Sequence, residues 1–218
     1  MLFEHRGKRP TIHESAFVAP TAVVCGDVTV GPDSQVTFGA ILMAQGSPIV
    51  IGSQSIIGEN AIIRATSKYP VHIGSYVRVG PNAALYGCIL KDEVFLATGV
   101  TVFQGARIGR QAEVRINGVV HVKSVLPERA VVPINWIAVG NPASILPPDE
   151  HDKIWAIQKP LNFPLEAYGV QRLADGSVDM KQITARLAAS ASEHRNDKLL
   201  RADGNRAVHS DDAEGAAA

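Results

Sequence analysis

The sequence is poor in aromatic side chains, in cysteine and in net charge. Aromatic residues make up 6% of the 218 residues, and 21 Lys and Arg balance 21 Asp and Glu. Zero formal charge without a dense basic stripe argues against nucleic acid as a partner, because phosphate binding needs clustered cations. The only two cysteines, Cys25 and Cys88, lack Cys-x-x-Cys spacing and are too few for a disulfide framework. We expect both to be small buried hydrophobes in a reducing compartment.

Long apolar runs are missing as well. No stretch approaches the ~18 consecutive apolar residues of a membrane span, and residues 1–10 lack the apolar core of a signal peptide. A cytoplasmic protein without a membrane partner is therefore predicted. Phosphate-loop and Gly-x-Ser-x-Gly motifs are absent too, so nucleotide hydrolysis and serine hydrolysis have no support.

What the sequence does have is an aliphatic residue at every sixth position. Small residues, often Gly, tend to follow these aliphatics, which is the hexapeptide-repeat pattern. The periodic positions are Val18, Val24, Val30, Val36, Leu42, Ile51, Ile57, Ile63, Ile73, Val79, Leu85, Leu90, Leu96, Val102, Ile108, Val114 and Val120. Three hexapeptides form one triangular coil, with the aliphatics inside and the small residues at the corners.

Coils of this kind resemble the left-handed parallel β-helix. We therefore predict an all-β domain over residues 11–146, with a continuous Val/Ile core. The repeat is interrupted at residues 43–50 and 65–72. Both interruptions are expected to be loops that protrude from the prism.

The composition changes at Pro147. Residues 149–158 have the pattern of a helix with Asp149 as its N-cap, ended by Pro160 and Pro164. A second amphipathic stretch runs from about residue 180 to 191. We expect residues 147–195 to be an α-helical segment that packs on the β-helix, and residues 196–218 to be a disordered tail.

Four motifs indicate a family. They are Gly39-Ala-Ile-Leu-Met-Ala-Gln-Gly-Ser-Pro-Ile-Val-Ile-Gly52, Ile57-Gly-Glu-Asn-Ala-Ile-Ile-Arg64, Val79-Gly-Pro-Asn-Ala-Ala-Leu-Tyr-Gly-Cys88 and Val139-Gly-Asn-Pro-Ala143. Through them residues 11–146 resemble the γ-carbonic anhydrase-like branch of the hexapeptide-repeat superfamily, which also includes acyltransferase-like proteins. The resemblance implies a homotrimer in which three histidines, contributed across a subunit interface, hold a zinc ion and a reactive water.

The three zinc-ligand positions of that family are occupied here by Arg64, Pro81 and Tyr86. Arginine has no lone pair to donate, proline has no side-chain ligand, and a lone tyrosine oxygen is weak beside the three ligands that catalytic zinc needs. The supporting residues differ too, because Met43 and Gln45 replace an Arg and an Asp. In the same way, Gly58-Glu59 replaces a Gln-Asp pair. We predict no metal at these positions, no cofactor and no CO2 hydration.

Two interpretations remain for the altered cleft. We expect an intersubunit Arg64–Glu59 ion pair; alternatively, the positive charge of Arg64 binds a small carboxylate or bicarbonate without a metal. The function favoured by the residues is a binding or structural trimer. Its alternative is a CoA-dependent acyltransferase that takes acyl-CoA.

An acyltransferase would need a histidine base near the subunit cleft. The histidines in or near the repeat, His13, His72 and His121, are expected to be exposed or hydrogen-bonded surface residues. Glu59 and Tyr86 are the acid–base candidates for any unrelated chemistry in this cleft. The histidines in terminal or helical segments are still less expected to form a site; they are His5, His151, His194 and His209.

Overall fold

The structure is a computed structural model that describes residues 1–200. Three parallel sheets wind around one another as a triangular β-solenoid, which confirms the predicted repeat architecture. Successive strands of the chain enter the three sheets in turn. Within the solenoid each strand therefore pairs in parallel with the strand three places further along the chain.

Most strands are two or three residues long, because the chain turns a corner after each one. The first sheet holds β1 Leu2–Glu4, β4 Val23–Cys25, β7 Ile41–Ala44, β10 Ile62–Ala65, β13 Ala84–Tyr86, β16 Thr101–Val102, β19 Val119–Val120 and β22 Ile137–Val139, and it is extended by β23 Ser144–Leu146 and β24 Lys198–Leu200. The second sheet holds β2 Thr11–Ile12, β5 Val28–Val30, β8 Ile49–Ile51, β11 Val71–Ile73, β14 Ile89–Leu90, β17 Arg107–Ile108 and β20 Val125–Leu126. The third sheet holds β3 Phe17–Val18, β6 Gln35–Val36, β9 Ile56–Ile57, β12 Arg78–Val79, β15 Phe95–Leu96, β18 Glu113–Val114 and β21 Val131–Val132.

The periodic aliphatics form the core, as predicted. From Val24 to Val120 each of them is at most 2% exposed, and only Val18, in the first coil, is half-buried. The small residues after them have a steric cause. A Cβ on Gly80 would lie 2.5 Å from the backbone carbon of Ala97 in the next coil. The corners therefore need residues that allow the backbones of successive coils to approach closely.

The two predicted interruptions are shorter than expected. The connections between strands are residues 45–48 and 66–70, because β7 extends through Ala44 and β10 through Ala65. The parallel ladder pairs Arg64 with Met43 and Ala65 with Ala44. Pairing thus continues over residues that break the six-residue period.

The C-terminal segment contains three α-helices, α1 His151–Gln158, α2 Phe163–Tyr168 and α3 Met180–Glu193. The predicted N-cap of α1 was wrong, since Glu150 occupies that position and makes no side-chain capping bond. Pro164 does not end α1 but lies near the start of α2, a helix that the sequence did not predict. Helix α3 was predicted to within two residues of its C-terminal end, and Asp179 caps it by accepting from the backbone N–H of Gln182 at 3.0 Å.

The first residues of the predicted disordered tail, 196–200, are ordered. Residues 194–196 form a 3-10 helix, and β24 then pairs antiparallel with β1, matching Phe3 with Leu199. Backbone pairing with a sheet edge supplies order that polar composition alone does not indicate. The remainder of the predicted tail, residues 201–218, lies outside the described residues. Of the helices in residues 1–200, none has the length and apolar character needed to cross a membrane.

Candidate functional site

A column of outward-facing side chains runs along the first sheet. Side chains alternate between the two faces of a strand, so Met43, Arg64 and Tyr86, which are in register, point away from the core. The column continues through Phe103, whose ring centroid is 6.1 Å from that of Tyr86. His121 follows, with its ring centroid 5.8 Å from that of Phe103.

A cleft of about 400 Å³ lies between this column and helices α2 and α3. Its side chains are mostly polar on the solenoid side and mostly apolar on the helices. The lining residues are Gln45, Arg64, Thr66, Ala84, Tyr86, Thr101, Phe103, Gln104, Phe163, Ala167, Tyr168 and Leu187. The structure thus brings together three of the six predicted site residues, Gln45, Arg64 and Tyr86, while Met43 lies next to them, with its sulfur 3.6 Å from Nη2 of Arg64.

Two polar side chains of this cleft have unsatisfied atoms. Nε of Arg64 is buried without a hydrogen-bond partner, and among residues 1–200 no carboxylate forms an ion pair with its guanidinium. Gln104 is 7% exposed, and its side-chain oxygen also lacks a partner. Buried polar atoms of folded proteins are nearly always hydrogen-bonded. The cleft therefore offers a cationic donor and an amide acceptor to a ligand.

The other two predicted site residues, Glu59 and Pro81, lie elsewhere. They occupy neighbouring turns at the corner where the third sheet passes into the first, residues 58–61 and 80–83. The carbonyl of Glu59 accepts from the backbone N–H of Asn82 at 2.8 Å, and the Glu59 side chain is exposed. Neither residue lines the cleft. An Arg64–Glu59 pair would have to join two copies of the chain, so it remains a prediction.

Helix α2 is held over the cleft by Glu166. Its carboxylate accepts from the Tyr69 hydroxyl at 2.6 Å, from Lys68 at 2.8 Å and from Lys123 at 2.6 Å. Burial raises the pKa of Glu166, but these hydrogen bonds together outweigh burial and lower the pKa to about 2. The cleft wall is thus attached to the solenoid by a carboxylate that is ionised at neutral pH.

The histidines differ from one another in burial. His13 and His72 are exposed, as predicted. His121 contradicts the prediction, because it is 9% exposed and its Nδ1 has no hydrogen-bond partner. Its ring contacts those of Phe103 and Phe163, which also contact each other, and burial lowers the pKa of His121 to about 4. The error follows from the missed helix α2, which supplies Phe163.

The sequence analysis also missed a cluster of metal-ligand types. His5, Cys25, His194 and Asp197 each offer one ligand atom, and these atoms all lie within 4.8 Å of one another. Cys25 is buried as expected, but its thiol donates to Oδ2 of Asp197 at 3.3 Å. Burial, together with this carboxylate, raises the pKa of Cys25 to about 12. No local spacing signals the cluster, because its first and last members are 192 positions apart.

Comparisons with known proteins agree with the repeat. The chain is 30% identical over 145 residues to the mitochondrial gamma carbonic anhydrase 1 of Arabidopsis thaliana, covering 64% of this chain and 50% of that protein. It is 29% identical over 109 residues to a carbonic anhydrase of Geobacillus kaustophilus, covering 50% of this chain and 60% of that protein. Over its repeat region the chain is thus similar to γ-carbonic anhydrases.

The chain spans about half the length of the curated relatives it matches. No protein-family model matches it. Among solved structures, a Bacillus cereus protein proposed to be an acetyltransferase is similar, with a TM-score of 0.50 and 21% identity, covering 88% of this chain and 97% of that one. At this identity the similarity concerns the fold alone.

Proposed function

We propose that this protein does not hydrate CO2 and that it binds a small carboxylate in the cleft beside Arg64. The observation that carries the proposal is the guanidinium of Arg64, half-buried in the cleft and without an acidic partner in the described chain. A fixed positive charge in register with Met43 and Tyr86 opposes a metal cation and attracts an anion. Arginine and a carboxylate can form two parallel charge-assisted hydrogen bonds.

The rest of the cleft indicates what the carboxylate carries. Phe103, Phe163 and Leu187 present apolar surface, while Gln45 and Gln104 present amides. Volumes of roughly 300–1,000 Å³ are typical of small-molecule sites, so this cleft suits a compact ligand. We therefore favour a carboxylate with an aromatic or branched aliphatic body over bicarbonate, which would leave the apolar wall uncovered.

The proposed assembly is a homotrimer. The corner that carries Glu59 and Pro81 also exposes large apolar side chains, Phe38, Ile116 and Ile134. Exposed apolar residues grouped along one edge are typical of an interaction surface. The family resemblance implies that positions 64, 81 and 86 meet across a subunit interface. Because Pro81 lies at this corner, apart from Arg64 and Tyr86, the corner would face the cleft of a neighbouring copy.

Binding of benzoate, isovalerate and bicarbonate by calorimetry tests the proposal. Arg64→Ala should weaken binding of the best carboxylate by about 10- to 100-fold, since a hydrogen bond to a charged group contributes roughly 1.5–3 kcal/mol. Arg78→Ala is the matched control, because Arg78 is an exposed arginine on the outer face of the third sheet. The control should bind as the wild type does.

Three results would count against the proposal. If Arg64→Ala binds the carboxylate as tightly as the wild type, the cleft is not the binding site. If the wild type hydrates CO2 in a reaction that a chelator abolishes and zinc restores, the carbonic anhydrase activity has been retained. If the wild type binds no carboxylate and Arg64→Ala instead dissociates the oligomer, the intersubunit Arg64–Glu59 pair is the correct interpretation. Acetyl-CoA belongs in the same titration, because the acyltransferase alternative requires it to bind.

A further inference from the structure

We infer that the chain binds a divalent metal ion such as Zn²⁺ or Co²⁺ at a site formed by His5, Cys25, His194 and Asp197. This site is separate from the positions of the family's zinc histidines. It lies at one end of the solenoid, where β1 and β4 meet the 3-10 helix at residues 194–196.

The four side chains already converge. Asp197 contacts all three others, with Oδ1 at 2.6 Å from Nδ1 of His5 and Oδ2 at 2.7 Å from Nδ1 of His194. Both His5 and Cys25 are only 3% exposed. Ligand atoms around tetrahedral zinc lie about 3.3–3.8 Å apart, given bond lengths of roughly 2.0–2.3 Å. Opening the present hydrogen bonds by about 1 Å would make room for the ion.

The donor types select the metal class. Two imidazole nitrogens, one thiolate and one carboxylate oxygen suit Zn²⁺ or Co²⁺, whereas Mg²⁺ and Ca²⁺ prefer oxygen ligands alone. Binding would displace the thiol proton of Cys25 into solution, because the thiolate is the ligand form. This thiol proton now bonds to Asp197, and coordination of both groups to one cation would replace that bond.

A second layer of contacts orients one ligand. Nε2 of His194 lies 3.0 Å from the side-chain nitrogen of Gln45, a residue that also lines the carboxylate cleft. An amide can present either its nitrogen or its oxygen, so Gln45 can partner His194 whichever ring nitrogen carries the proton. Outer partners of this kind fix the ring orientation of metal-binding histidines.

The site joins the two ends of the described chain. Asp197 immediately precedes β24, which pairs with β1, and His5 immediately follows β1. A bound ion would therefore hold β24 on the edge of the first sheet. Without a metal, the same four residues would form a hydrogen-bond network that serves only to anchor β24. Titration with Co²⁺ separates the two cases.

Cobalt titration of the chelator-treated full chain tests the site. We expect one Co²⁺ per chain, with a thiolate-to-cobalt charge-transfer band that Cys25→Ser abolishes. At about 100 times its dissociation constant, Zn²⁺ should raise the melting temperature by about 5–10 °C. Cys88→Ala is the control, because Cys88 is buried in the core outside the cluster and should leave the cobalt spectrum unchanged.

Asp197→Asn provides a second variant in case Cys25→Ser fails to fold, and it should weaken metal binding at least 10-fold while retaining β24. The site does not exist if the wild type binds no Co²⁺, or if Cys25→Ser and Asp197→Asn both bind as the wild type does. A cobalt spectrum lost in Tyr86→Phe but kept in Cys25→Ser would place the metal in the cleft instead. That result would contradict both this site and the proposed function. Loss of the cobalt spectrum in Cys25→Ser alone would leave the proposed function intact.

Discussion

His121 is a buried base whose protonation should destabilise the fold. In the unfolded chain the pKa of His121 is about 6.5, whereas burial in the folded chain lowers this pKa to about 4. The folded state is thus penalised as pH falls from about 6.5 to 4. From the linkage relation, the free energy of unfolding should drop by about 2 kcal/mol between pH 7 and pH 5 through this residue.

His121→Leu should remove that drop, because leucine does not titrate and suits the rings of Phe103 and Phe163. Urea unfolding of both proteins at pH 7 and pH 5 measures the effect. His72→Leu, at an exposed site, is the control and should keep the wild-type pH dependence. An unchanged pH dependence in His121→Leu would show that this imidazole is hydrated or hydrogen-bonded in solution.

Helix α2 provides the prediction at the scale of an element. Glu166 has a folded pKa of about 2, below the usual 4.5, so its contribution to stability is complete above pH 4.5 and is lost as pH falls toward 2. Glu166→Gln should cost about 1–3 kcal/mol at pH 7, since the largely buried Glu166 side chain loses its charge-assisted hydrogen bonds to the exposed Lys68 and Lys123. Hydrogen exchange of the α2 amides should accelerate, and carboxylate binding should weaken.

The matched control for this helix is Glu128→Gln. Glu128 and Arg129 are both exposed, with 3.9 Å between their charged atoms, so this change should cost less than about 0.5 kcal/mol. Equal exchange rates in Glu166→Gln and the wild type would show that apolar packing of Phe163, rather than the carboxylate, holds α2.

Elements differ in how far the sequence predicts them. The coils are predictable because each hexapeptide repeats one local requirement, an inward aliphatic followed by a residue small enough for the corner. The family resemblance predicted that Gln45, Arg64 and Tyr86 share one cleft. The parallel ladder explains why Arg64 and Tyr86 lie side by side, because it keeps equivalent positions of successive coils together. Helix α2 escapes prediction because it has only six residues and is stabilised by distant partners, Glu166 with Lys68 and Phe163 with Phe103. The cluster around Asp197 escapes for the same reason, since only the return of β24 to β1 brings it together.

At the scale of the whole molecule, the proposed trimer depends on the corner that carries Phe38. The wild type should sediment at three times the chain mass of 23.2 kDa. Phe38→Asp should shift it toward the monomer, because a carboxylate would be buried among apolar side chains at the interface. Tyr76→Asp is the matched control, since Tyr76 is 60% exposed against 55% for Phe38 but lies at the corner between the second and third sheets.

The outcome of sedimentation also decides how the two proposed sites relate to assembly. The residues of the metal cluster all come from one chain, so a monomeric wild type would leave the cobalt titration unaffected. The same result would remove any intersubunit Arg64–Glu59 pair, and the guanidinium would then depend on a ligand for its counterion. If instead Tyr76→Asp dissociates the trimer and Phe38→Asp does not, the copies meet at the other corner. Glu59 would then lie away from the interface, and carboxylate binding should be independent of assembly.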